Sequence, residues 1–154
     1  MNLHKTTISD ELYFWASDIL NSDIFNEMDN FVHHGNVSTL EHSINVAEKS
    51  LKCVNKRGIK CDKRSLIVGC LLHDLFLYDY HERYNRVARF HAFTHPKVAL
   101  KNAEMYYELN KIEKEIIKKH MWPATIVPPF KKEAWIIVWQ DKVCAIEELL
   151  KKKK

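Results

Sequence analysis

The sequence has few residues that turn a chain: three glycines and four prolines in 154 residues. A β sandwich or barrel needs a turn signal roughly every ten residues, so this scarcity argues against one and favours helices joined by short links. The four cysteines, Cys53, Cys61, Cys70 and Cys144, form no Cys-x-x-Cys pair. A disulfide framework is therefore not expected, and a reducing cytoplasm suits the chain. Cys70 and Cys144 sit in apolar runs and read as small core residues. Runs such as residues 134–139 fall far short of the roughly 20 apolar residues that span a bilayer. The N-terminus shows no basic region followed by an apolar core, so neither a signal peptide nor membrane attachment is expected and the localisation reads as cytoplasmic. The formal net charge of +4 is matched by four consecutive lysines at residues 151–154. Without them the body is neutral. The tail reads as a solvated helix end, where cations suit the dipole, and no basic stripe with interleaved aromatics suggests nucleic acid.

What the sequence does hold is helical periodicity. Hydrophobic residues make up 46% and charged residues 29%, an ordinary globular balance, and the length suits one domain spanning residues 1–154. Leu12, Trp15, Ile19, Ile24, Phe25 and Met28 suggest a helix over residues 8–31, capped by Ser9 or Asp10. His33-His34-Gly35-Asn36 reads as a loop, with the two histidines as an ordinary loop pair. Ser38-Thr39-Leu40-Glu41 is a capping box. The helix it opens turns Leu40, Ile44, Ala47, Leu51 and Val54 inward and stops at Arg57-Gly58. Asp62 caps a third helix that is apolar nearly all round over residues 66–72, which predicts the most buried element. Residues 75–93 mix aromatic and charged side chains without a period and read as an irregular loop. Thr94-His95-Pro96 opens another helix, and Asn110 with Glu113 caps the next, which Met121-Trp122-Pro123 ends. A last helix runs from about Lys131 to the lysine tail. The expected fold is all-α, a bundle of about six helices.

Polar residues stand where that bundle should be apolar. Gly69-Cys70-Leu71-Leu72-His73-Asp74 delivers an imidazole and a carboxylate at the end of the most buried helix. Burying them is costly without partners. His42 lies near an apolar stripe, Asp141 sits among apolar residues, and His95 and His120 flank helix boundaries. These six residues come from five segments, so they meet only if the bundle brings them to its centre, where facing helices commonly build metal sites. Neutral His nitrogen with carboxylate oxygen suits zinc, iron, manganese or nickel better than calcium.

The order of these residues resembles the HD-domain superfamily of metal-dependent phosphohydrolases. Leu40-Glu41-His42-Ser43-Ile44-Asn45-Val46-Ala47 resembles the family's first-His helix, Gly69-Cys70-Leu71-Leu72-His73-Asp74 its signature helix, and Trp139-Gln140-Asp141-Lys142-Val143 the helix of its last Asp. The resemblance spans about residues 30–150. Phe93-Thr94-His95-Pro96-Lys97 and Lys118-Lys119-His120-Met121-Trp122-Pro123 are similar to a bacterial branch of the superfamily. The Gly-Tyr-Pro signature of cyclic-dinucleotide phosphodiesterases is missing, and Leu75-Phe76-Leu77-Tyr78 stands where a lysine often follows His-Asp in that group, which argues against cyclic dinucleotides.

The resemblance implies that His42, His73, Asp74 and Asp141 form a four-ligand core. It further implies that His95 and His120 are the extra histidines of dinuclear members, with Asp74 bridging. Two divalent transition-metal ions follow, iron or manganese first, with zinc or nickel compatible. The implied activity is hydrolysis of a small, nucleotide-like phosphomonoester or phosphodiester by a metal-activated hydroxide. Beside Asp74, Asp79 and His91 are candidates for acid–base or supporting roles. Lys97, Arg83, Arg86 and Arg89 are candidates to hold phosphate, and His4 and His81 read as surface residues. A diiron oxygenase on the same ligands and a non-catalytic metal-binding module are the competing readings, and oligomeric state is not legible.

Overall fold

The computed structural model of the chain describes residues 6–79 and 91–151. Among them are six helices of nine residues or more: α1 (Asp10–Leu20), α3 (Thr39–Arg57), α4 (Lys63–Leu72), α5 (His91–Tyr106), α6 (Lys111–Lys119) and α7 (Lys132–Lys151). The one-turn helix α2 (Asp23–Asn26) and a 3-10 turn (Glu27–Asn30) follow α1. The fold is all-α, with one two-stranded hairpin, β1 (Val32–His34) and β2 (Val37–Ser38). None of the described helices is long and apolar enough to cross a membrane.

Local chemistry accounts for most boundaries. Ser9 accepts a hydrogen bond from the Leu12 amide at 3.2 Å and caps α1. Ser38 and Glu41 complete their capping box at the head of α3, and Gly58, at φ +60°, ends that helix in the left-handed region. Asp62 caps α4, and Asn110 with Glu113 forms a second box on α6.

Three expectations need correction. The helix expected over residues 8–31 stops at Leu20, because nearby side chains take over its carbonyls: Ser22 Oγ donates to Ile19 O at 2.7 Å and Asn26 Nδ2 to Leu20 O at 3.0 Å. The His33-His34 loop is instead a hairpin turned at Gly35, at φ +61°. It is pinned to α3 by the Thr39 amide on Phe31 O, at 2.8 Å. Finally, α5 begins at His91 rather than Thr94. Pro96 costs that helix one hydrogen bond, to the carbonyl of exposed Ala92, without ending it.

α4 lies at the centre and packs against α1, α3, α5, α6 and α7. Every residue from Ser65 to Leu72 is buried. It approaches α6 closely at Gly69, where an added Cβ would fall 2.6 Å from the Ile116 side chain. One turn further along, these two helices end at His73 and His120, whose ring centroids are 4.8 Å apart. The missing side chain at Gly69 therefore sets the spacing that brings the two histidines together. Gly69→Ala is expected to destabilise the protein by about 1–3 kcal/mol through overpacking, measured by urea unfolding, and trimming Ile116→Val should recover part of the loss. A neutral Gly69→Ala would mean that the helices do not approach this closely.

Candidate metal centre

The five helices α3 to α7 bring all six sequence-selected residues, His42, His73, Asp74, His95, His120 and Asp141, to one buried cluster. The four histidines share one arrangement. His73 Nδ1 donates to Cys70 O at 2.6 Å, His120 Nδ1 to Ile117 O at 2.8 Å, and His95 Nδ1 to His91 O at 2.7 Å. His42 Nδ1 lies 2.9 Å from Glu148 Oε2, and Asn45 Nδ2 donates to the other Glu148 oxygen at 3.2 Å. With Nδ1 committed each time, Nε2 is the atom turned to the cluster, which is how metal-binding histidines are usually held.

The cluster has two halves that share Asp74. On one side, His42 Nε2 is 2.8 Å from Asp141 Oδ1 and 3.7 Å from Asp74 Oδ2. His73 Nε2 is 3.1 Å from Asp74 Oδ2 and 3.5 Å from Asp141 Oδ1. On the other side, Asp74 Oδ1 lies 3.2 Å from His95 Nε2 and 3.4 Å from His120 Nε2. In each half, one ligand atom from every residue lies within 4.8 Å of the others.

Divalent ions fit this donor set. His73 Nε2 and Asp74 Oδ1 are buried without a hydrogen-bond partner, a costly state for polar atoms. His95 and His120 face each other Nε2 to Nε2 at 2.8 Å. Their Nδ1 protons are already given to carbonyls, so unprotonated Nε2 atoms would oppose each other lone pair to lone pair. A cation on each side relieves all of these conflicts.

Without metal, protons take part of that role. Burial pushes the His42 pKa down, but hydrogen bonds to Asp141 and Glu148 outweigh it and raise it to about 9. Burial likewise opposes ionisation of Asp74 and Asp141, yet the surrounding histidines hold both well below the ordinary carboxylate range. His42 is thus held as an imidazolium between Asp141 and Glu148, and Asp74 and Asp141 likewise raise the His73 pKa well above its ordinary value against the effect of burial. A metal held at both rings would displace an Nε2 proton from each. The apparent affinity for Mn²⁺ is therefore expected to rise with pH from 7 towards 9, more steeply than the roughly tenfold per unit of a single displaced proton. The ion pair has the opposite sign: its stability is fully present below 6.5 and lost as pH rises through about 9. The metal-free melting temperature should therefore fall across that window. Metal titrations and thermal melts at pH 7 and 8.5 check both, and a flat affinity profile would mean that His42 and His73 are already neutral.

Two further residues support the cluster. Glu148 lies seven residues after Asp141, two turns along the same face of α7, a spacing that carried the signal in the sequence. His33 is 6% exposed and places Nε2 2.7 Å from Asp74 Oδ2. Nothing in its local sequence marks it. The loop reading missed it because only the hairpin turns it inward. Burial, first of all, lowers its pKa to about 4. His33, His42 and Glu148 also bring ligand atoms within 4.8 Å of one another. The His33 and His42 rings nevertheless stack with centroids 3.9 Å apart and planes 9° apart. Their in-plane lone pairs cannot both meet one ion, so the stacking argues against this trio as a metal site.

The other candidates lie around the cluster or away from it. His91 is half-buried, stacks on His95 with centroids 4.3 Å apart, and has Nδ1 2.9 Å from the Tyr78 hydroxyl. Burial, then the neighbouring His95, lowers its pKa to about 3. Asp79 is half-buried, five residues past Asp74. Lys97 is exposed, about 200° around α5 from His95. Arg83, Arg86, Arg89, His81 and His4 lie outside the described residues, as do residues 152–154.

The family model described as HD domain matches residues 39–146, a stretch that contains all six cluster residues and excludes His33 and Glu148. Comparison with curated proteins and with solved structures gives no match.

Proposed function

The chain belongs to the HD-domain family, whose members are mostly metal-dependent phosphohydrolases, and from that premise we propose that it hydrolyses a small, nucleotide-like phosphoester at a pair of divalent ions. The observation that carries the reading is the division of Asp74. One of its oxygens faces His42 and His73, and the other faces His95 and His120. One carboxylate shared between two donor groups is the arrangement a two-ion centre requires. Iron or manganese suits these nitrogen and oxygen donors best. Divalent ions at such a centre lower the pKa of water and polarise phosphoryl oxygens.

The chain's own residues hold and orient. Glu148 and the carbonyls of Cys70, His91 and Ile117 fix the ring planes of the ligand histidines. The apolar length of α4 keeps bulk water from one side of the cluster. His91 lies 2.9 Å through Nδ1 from the Tyr78 hydroxyl and stacks on His95, so it braces the ring of that candidate ligand. Tyr78 and His91 also form an aromatic wall beside His95, a surface on which a base can stack.

The test is a phosphate-release screen. Manganese-loaded protein is offered nucleoside mono-, di- and triphosphates, sugar phosphates and dinucleotides, with Asp74→Ala as the background. Release from a nucleotide supports the reading, and a panel with no hydrolysed member overturns it.

A further inference from the structure

His33 stands outside both the ligand set and the stretch matched by the family model, yet it makes the shortest contact to the shared carboxylate, 2.7 Å from Nε2 to Asp74 Oδ2. Two explanations of that contact differ in the proton. If His33 were a ligand, its Nε2 would present a lone pair to the same ion as His42. The stacked rings exclude this, because an ion in the plane of one ring lies well out of the plane of the other. If His33 were merely packed there, a bare nitrogen and a carboxylate oxygen would repel at 2.7 Å. A hydrogen between them resolves both.

We propose that His33 is a positioning residue that carries its proton on Nε2 and donates it to Asp74 Oδ2. This is the opposite tautomer to that of the ligand histidines, whose Nδ1 atoms face carbonyls or Glu148. The hydrogen bond sets the rotation of the carboxylate, so that Oδ1 points towards His95 and His120. Among the contacts of Asp74 described above, His33 supplies the one that is not itself a candidate ligand. It can therefore hold the carboxylate in place before any ion arrives.

The backbone around His33 serves this purpose. Val32 is exposed while His33 is buried, the alternation of a strand. The hairpin turns at Gly35 and is tied to the head of α3 through Thr39, whose amide and hydroxyl both donate to Phe31 O, at 2.8 and 3.1 Å. His42 lies in the first turn of that same helix. The hairpin thus registers donor and ligand from one anchor.

The inference rests on the two-ion reading only in that the cluster binds metal. Its test therefore reads metal affinity rather than turnover: Mn²⁺ titration followed by the electron paramagnetic resonance of the free ion. His33→Phe keeps a flat ring on His42 but has no donor, and His33→Gln keeps an N–H donor without the ring. His33→Phe is expected to weaken binding about 10- to 100-fold, the usual cost of losing a group that orients a ligand, while His33→Gln stays close to wild type. Circular dichroism melts establish that both variants are folded. If His33→Phe binds as tightly as wild type, or folded His33→Gln falls as far as His33→Phe, the donor role is overturned. A protein that hydrolyses no phosphoester yet shows this affinity pattern overturns the functional reading alone and leaves His33 its role.

Discussion

Asp74→Ala is expected to strip the protein of both ions and abolish hydrolysis, whereas His120→Ala should keep about one ion of two and lose activity. The asymmetry follows from how many donor groups each side chain joins. Asp74 Oδ2 lies with His42 and His73, and Oδ1 with His95 and His120. Removing it takes a donor from each half and leaves the second half with two nitrogens that face each other. Removing His120 subtracts one nitrogen from the second half and leaves the first intact. Losing a residue that only orients a ligand costs about 10- to 100-fold in metal affinity. Losing the shared ligand should cost more than about 100-fold, on the same scale. Asp74→Asn, close in shape and without the charge, should behave like the alanine variant, which separates loss of ligation from loss of packing. Elemental analysis after iron or manganese loading reads the result. Equal metal content in Asp74→Ala and wild type would sink the two-ion centre, whatever its activity.

What the sequence makes legible here depends on how far apart the cooperating residues are. The caps at Ser38, Asp62 and Asn110 act on amides three residues away, so a local pattern contains their whole physics. The candidate ligands are spread over five helices, but each leaves a local trace, an ionisable group where burial needs a partner, and the family resemblance supplies their order. The interruption of the first helix is harder to read, because Ser22 and Asn26 act on carbonyls that favourable periodicity had assigned to the helix. Glu148 is legible from its two-turn spacing behind Asp141. His33 was not legible at all. Its role exists only because a short hairpin lays its ring on His42. Lys97 shows the converse: two residues past His95 it looks adjacent in sequence, yet the helical turn carries it to the opposite side, into solvent.

Manganese-loaded protein kept under argon is expected to release phosphate from its best substrate as fast as it does in air, with Asp74→Ala reducing release to background. This separates the two chemistries that the donor set supports. Hydrolysis needs no change in the oxidation state of the metal, so an ion that stays divalent is sufficient. Oxygenation needs iron that can be oxidised and O₂ as a co-reactant, so manganese under argon supports none of it. The four histidines and two carboxylates of the cluster accept either metal, which is why ligand identity leaves the choice to experiment. Water labelled with ¹⁸O gives a second readout: hydrolysis by attack at phosphorus places one labelled oxygen in each phosphate released, and manganese or iron loading should give the same label. The Asp74→Ala control matters because a trace of contaminating phosphatase would release labelled phosphate equally well, but would be unaffected by the substitution. Turnover that requires iron, stops under argon and consumes O₂ in proportion to product would overturn the hydrolase reading. It would leave the centre itself, with Asp74 shared between its halves, in place and assign it to oxygen chemistry.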